Sequence, residues 1–292
     1  MALSTRLGPP ANWLVMGAVA YDPKVVTIWD GFRRWLRSEG LPFDYVLYSN
    51  YERQSEDLVT GRIQAAWNSP LAWVRTRRLA AQAGVEVSAL TMRDTDRDLT
   101  SLVVVRADSP ANSAADLGGT TVGTGAVDSP QATLIPLDHL RQAGLTPDED
   151  FKVRHFDIGV GLHGDHIGGE RHAAVALLAG EVEASLMVDS NHLAFSRDGT
   201  LAPGSTRVVA QTVLYDHCNM TVAERTPDVL ELGRLLLGMS YSDPDLRPLL
   251  DMEGLTQWLP GRTSGYAALE AAVDASGFYD AEGRVTAVGY EP

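Results

Sequence analysis

At 292 residues, with 45% apolar and 21% charged side chains, the chain is long enough for one large domain or two lobes that each bury a core. A formal charge of −14 lacks the basic footprint that nucleic acid requires and disfavours adhesion to anionic membranes, so no nucleic-acid or membrane partner is expected. It leaves room for a small anion held by local N–H groups, and the single cysteine, Cys218, excludes an intrachain disulfide.

The opening "MALSTRLGPPANWLVMG" puts Arg6, Pro9 and Pro10 ahead of a short apolar run. A secretory signal needs a basic start followed by ~7–15 apolar residues. The expected location is therefore the cytoplasm. "WLVMGAVA" (13–20) reads as a buried strand, and Val26, Trp29, Phe32, Trp35 and Leu36 then recur at helical spacing up to Gly40. "DYVLYS" is a second strand, "YERQSEDLVTG" a short helix, "IQAAWN" a third strand and "LAWVRTRRLAAQAG" a helix, with Arg77 and Arg78 on its solvated face. "VEVSALTM" and "SLVVVRA" are strands, followed by a turn-rich stretch with a short strand "TTVGTG" and a helix starting near Ser129-Pro130. Next come the strand "FKVRHF", the motif "LHGDHIGGERHAA", a helix, the strand "VEASLMV" and a return strand "TRVVAQTVLY"; the remainder reads as mostly helical. The alternation is that of an α/β protein. "GRIQAAWNSPLAWV" and "GEVEASLMVDSNHLAF" share an order of residue types that suggests two similar lobes.

Residues 13–215 resemble the type II periplasmic-binding-protein fold, and within it the phosphonate/phosphite-binding branch. The likeness rests on "GAVAYDP", on "YSNYERQSEDLVTGRIQAAWNSPLAWV", on "LTSLVVVRADSPANSAADLGGTTVGTG" and on "DSPQATLIPLDHLRQAGL", where that branch has a helix start gripping an anion. The resemblance implies a two-lobed α/β architecture with a mixed sheet in each lobe and the ligand cleft between them. The expected division is 1–105 with 207–292 as lobe 1 and 106–206 as lobe 2.

Ligands bind at the carboxyl ends of strands in open α/β sheets. The polar tips there supply the candidate ligand-binding residues Tyr21, Tyr48, Asn50, Asn68, Ser69, Ser129, Gln131, Asp189, Asn191 and His192. Helix starts at Ser69 and Ser129 would offer N–H groups to an anion. Tyr21, Tyr48, Trp67 and Trp73 are candidates for an apolar cleft wall, with core packing the alternative for Trp67.

Three readings are open for the histidine-rich motif. His163, His166 and Glu170 fall at i, i+3 and i+7, a ligand set suited to a divalent metal such as Zn, Fe or Mn. Alternatively the histidines contact the ligand directly, or Asp165 caps a turn and Glu170 complements a helix dipole. Adjacent residues on a strand point to opposite faces, so His217 and Cys218 are not expected to meet.

These residues lead to an expectation of a cytoplasmic protein that closes on a small polar or anionic molecule. It leans to an enzyme of lyase type, decarboxylating or dehydrating, with His163, Asp165, His166 and Glu170 as catalytic groups and a metal as possible aid. Chorismate-dehydratase-like and dihydroxyphthalate-decarboxylase-like proteins share the fold, but not these motifs. The alternative is a non-catalytic solute-binding protein of an importer for phosphonate- or phosphate-like oxyanions.

Overall fold

In a computed structural model, which describes residues 13–164 and 168–292, two sheets stand side by side. Lobe 1 holds β1 (Leu14–Val19), β2 (Phe43–Tyr48), β3 (Ala65–Asn68), β4 (Ser88–Arg93), β10 (Asn219–Val222) and β11 (Trp258–Pro260), in the order β11-β4-β10-β3-β1-β2. Lobe 2 holds β5 (Ser101–Arg106), β6 (Thr121–Thr124), β7 (Lys152–His155), β8 (Ala184–Val188) and β9 (Thr206–Gln211), in the order β7-β6-β8-β5-β9. β1 runs parallel to β2 and β3, as β6 does to β7 and β8. In each sheet the next strand inward, β10 or β5, is antiparallel. The two sequence echoes are therefore the equivalent strand-to-helix units of the two lobes.

Helices cover these sheets. α1 (Lys24–Ser38) buries Val25, Ile28, Trp29, Phe32 and Leu36 on one face, and the chain leaves it through Gly40 at φ 91°. α2 (Tyr51–Val59) and α3 (Pro70–Ala83) follow β2 and β3. α4 (Ile135–Gln142), α5 (Gly168–Leu178) and α6 (Asp189–Asp198) serve lobe 2, α4 being entered through a wide helical turn at Pro130–Leu134. α7 (Pro227–Gly238), α8 (Arg247–Glu253) and α9 (Ala267–Ser276) complete the chain. β1 is buried along its whole length because helices lie on both faces of its sheet, so its apolar run does not alternate.

Sheet membership places β5 and β9 with lobe 2, so the crossings fall at 94–100 and 212–218 rather than at 105/106 and 206/207. The expected return strand 206–215 stops at Gln211 for the same reason: its last residues form the second crossing, which pairs with the first at Leu99 and Tyr215. Residues 189–192, expected as a loop, form the first turn of α6.

Candidate functional site

A cavity of about 240 Å³ opens between the lobes beside the two crossings. Lobe 1 and the crossings contribute Arg93, Thr95, Asp96, Leu99 and His217; lobe 2 contributes Gln131, Gly164, Val188, Ser190 and Asn191. Gln131 lies just past the helical start capped by Ser129, and Ser190 and Asn191 lie in the first turn of α6. Early-turn N–H groups have no backbone partner within their own helix, and here those of Ala132 and Ser190 are taken by the Ser129 and Asp189 side chains, so what the two starts bring to this side is the positive end of each helix.

The charge on the lobe 1 wall is largely neutralised. Arg93 grips both carboxylate oxygens of Asp96, at 2.6 and 2.9 Å, and donates to the Glu253 carbonyl at 2.8 Å. Burial pushes the Asp96 carboxyl up, but the Arg93 guanidinium outweighs it and holds the group at about 2. His217 Nδ1 lies 3.1 Å from Cys218 Sγ and 3.5 Å from Asp96 Oδ1. The expectation that these neighbours point apart fails because 212–218 is a crossing and not strand. Asp96, His217 and Cys218 are the one metal-ligand-like grouping among the described residues, and Arg93 already occupies the carboxylate.

Across from this wall, Glu170 sits at the start of α5 and is 2% exposed. It accepts from the Val188 N–H at 3.0 Å, Asn191 Nδ2 at 2.9 Å and Gln131 Nε2 at 3.4 Å. These bonds favour the carboxylate, yet burial without a cation dominates and pushes the group up to about 7.

His163 reaches with its side chain from lobe 2 into lobe 1. It is fully buried, takes up the left-handed region at φ 50°, and stacks on Tyr51 of α2 at 4.7 Å between ring centroids. Nδ1 lies 2.6 Å from Ser69 Oγ and Nε2 3.0 Å from Glu52 Oε1, both in lobe 1. Its own N–H donates to Asp128 Oδ2 at 3.0 Å, as does that of Gly161 at 2.7 Å. Glu52 Oε1 also accepts the phenols of Tyr279 (2.7 Å) and Tyr290 (2.9 Å). Burial alone would push the Glu52 carboxyl up, but the His163 imidazole and the three hydrogen bonds together hold it at about 2.

Of the candidate residues, Gln131 and Asn191 line the cavity, and Glu170 backs it. Ser69 and Ser129 cap their helices, each Oγ accepting an N–H three residues on, but they face the 163–164 loop and not open space. His163 meets Ser69, and a Cβ at Gly164 would fall 2.4 Å from Ser129 Oγ. Asp189 ties α6 to Thr100 of the first crossing, and His192 lies half-buried further along α6. Tyr21 packs on the lobe 1 core, Tyr48 donates to Asp57, Asn50 caps α2, and Asn68 is buried among Gln54, Thr76 and Thr221. Trp67 is core and Trp73 packs on Tyr266, so neither forms a cleft wall. Asp165 and His166 lie outside the described residues. The proposed metal triad does not assemble around His163, whose two ring nitrogens are committed to Ser69 and Glu52. Sequence reasoning missed Arg93, Thr95, Asp96 and His217, though their position at the ends of the crossings was a usable signal. It also missed Glu52, which nothing local marks.

The comparisons with known proteins agree with this architecture. A family model described as "ABC transporter, phosphonate, periplasmic substrate-binding protein" matches residues 17–266. The fold is similar to that of the Prochlorococcus marinus protein PhnD1 solved with methylphosphonate, at 17% identity and TM-score 0.67 over 90% of this chain and 97% of that one. A Xanthomonas citri protein solved with chloride ion gives 21% identity and TM-score 0.67 over the same shares. The Escherichia coli aliphatic sulphonate-binding protein SsuA gives 17% and 0.56 over 97% of this chain and 94% of that one. No curated protein matches. The family match overturns three expectations: a substrate-binding component is not a lyase with His163, Asp165, His166 and Glu170 as catalysts, the metal-binding role falls with the enzyme, and a periplasmic family does not fit a cytoplasmic location. The reading held as the alternative is the one supported, and the chain belongs to the phosphonate-binding family of periplasmic substrate-binding proteins of ABC transporters.

Proposed function

We propose that this chain is the solute-binding component of an importer and closes its lobes on a small oxyanion of the phosphonate or phosphate class. The observation that carries the reading is the cavity between the lobes, onto which two lobe 2 helical starts open at Gln131 and at Ser190-Asn191. N–H groups and the positive end of the helix dipole favour an anion at such a place. The Gln131 amide N–H groups are spent on the Gly164 carbonyl and Glu170, but Asn191 gives only one of its two to Glu170, so its second N–H and the His217 ring remain beside the cavity. Glu170, protonated below about pH 7, adds no full negative charge behind them. Its small size suits a ligand of a few heavy atoms. The methylphosphonate held by the Prochlorococcus protein of the same fold fits that description.

Calorimetric titration tests the reading, using protein stripped of any carried-over ligand by unfolding and refolding. Methylphosphonate, inorganic phosphate and methanesulfonate are titrated in turn. One-to-one binding of at least one is expected, weakened about tenfold in Asn191→Ala, the worth of a hydrogen bond to a charged group. Heat changes no larger than dilution with all three anions would overturn it.

A further inference from the structure

The family match ends at residue 266, yet residues after it reach Glu52, where a lobe 1 side chain meets His163 of lobe 2. α9 packs against α3 of lobe 1 and α4 of lobe 2. The segment beyond it is fastened to α3: Arg75 Nε donates to the Gly283 carbonyl at 3.0 Å, and Arg78 to the Tyr279 and Asp280 carbonyls at 2.8 and 3.0 Å. Arg77 is exposed as expected and pairs with Glu270, whereas Arg78 is largely covered and pairs with Asp274, so of the two it is Arg78 that holds the C-terminal segment. Phe278, Tyr279 and Tyr290 are buried, and the Phe278 ring lies 4.9 Å from that of Tyr279 and 4.8 Å from that of Tyr290.

Both phenols end on one atom, Glu52 Oε1, which also receives His163 from the opposite lobe. The backbone of Pro292 passes over Gly161, two residues before His163; a Cβ at Gly161 would stand 3.4 Å from the Pro292 Cα. His163 is held in a backbone region that side chains rarely adopt, so its position depends on the groups that grip it. Among the described residues Glu52 Oε2 has no hydrogen-bond partner, and the bonds that orient the carboxylate fall on Oε1.

We propose that residues 278–292 form a strap that latches the lobes together. Tyr279 and Tyr290 fix the Glu52 carboxylate, Glu52 fixes His163, and the strap's grip sets how readily the cleft opens. Its consequence for ligand release rests on the substrate-binding reading; the latch itself does not. Loss of one phenol leaves Glu52 with another and with His163, so the single variants are expected to act weakly and the pair together strongly. Phenylalanine keeps the ring packing and removes only the hydroxyls.

Hydrogen exchange of the ligand-free protein reads the latch directly, since the Tyr51 N–H donates to the Gly161 carbonyl across the lobes. In Tyr279→Phe/Tyr290→Phe, exchange in the peptides over Tyr51–Ser55 and Asp157–Gly164 is expected to rise about tenfold or more, two hydrogen bonds to a charged acceptor being lost. Peptides over Ala65–Asn68 and Ser101–Arg106 should keep their rates. Unchanged exchange at the cleft, or an equal rise in those core strands, would overturn the strap, the second by showing general destabilisation. Stopped-flow release of methylphosphonate should be faster in the same variant. Failure of both proteins to bind methylphosphonate, phosphate and methanesulfonate alike would count against the substrate-binding reading, and the exchange result would still decide the latch.

Discussion

Glu170 shows how a single residue's surroundings decide its charge. All its partners are neutral donors, from Val188, Asn191 and Gln131, and burial pushes it up to about 7, against ~4.3 for a glutamate in an unfolded chain. A carboxyl whose pKa is raised on folding contributes stability that is intact below the unfolded value. That contribution is lost as pH rises through about 7. Glu170→Gln keeps an oxygen for Val188 and Asn191 and removes the titration. In urea unfolding the variant should match the parent near pH 4.5 and exceed it by roughly 3 kcal/mol at pH 8. Glu253 is also pushed up to about 7, by burial, so the parent alone is not diagnostic and the difference between the two curves is the measurement. A difference that stays flat from pH 4.5 to 8 would show that Glu170 ionises as it does in the unfolded chain.

At the scale of elements, the start of α5 is fixed by backbone contact. A Cβ on Gly169 would fall 2.6 Å from the Phe156 carbonyl oxygen and 3.2 Å from the Ala126 N. Both are main-chain atoms bordering β6 and β7 and cannot yield as a flexible side chain would. Gly169→Ala should therefore lower the urea midpoint by the equivalent of roughly 1–3 kcal/mol and shift Glu170, the next residue, away from Asn191. A variant as stable as the parent would mean that the helix start adjusts freely. β1 to β3 and the helices after them were legible in the sequence, because hydrophobic period and caps are local signals. His163 was visible as an unusual residue but not as a bridge. Its partner Glu52 lies 111 residues away, and the phenols on that carboxylate lie 227 and 238 residues further along the chain from it. No spacing rule reaches so far. The motif's density of histidines drew the reading toward metal and catalysis, whereas the two ring nitrogens of His163 are spent on holding the lobes together.

At the scale of the whole molecule, an apolar cluster joins what the two sheets divide. Leu71, Trp73 and Val74 from lobe 1, Leu134 and Ile135 from lobe 2, Tyr215 from the second crossing, and Tyr266, Leu269 and Val273 beside or within α9 pack as one group. Leu99 of the first crossing lies against it. The lobes therefore share a core at the side where the chain crosses, and any opening of the cleft must pivot on that group without dissolving it. Such a shared core couples the two halves thermally. Scanning calorimetry should give a single endotherm whose calorimetric and van't Hoff enthalpies agree, despite two separate sheets. Ile135→Ala truncates the cluster from the lobe 2 side and should cost about 2–5 kcal/mol. Because the cost falls on the joint, the endotherm of the variant should broaden or split, while an equal truncation inside one lobe, Leu186→Ala, should lower its midpoint and leave it single. Two resolved endotherms in the unaltered protein would mean that the cluster does not couple the lobes, and that each folds and melts on its own core.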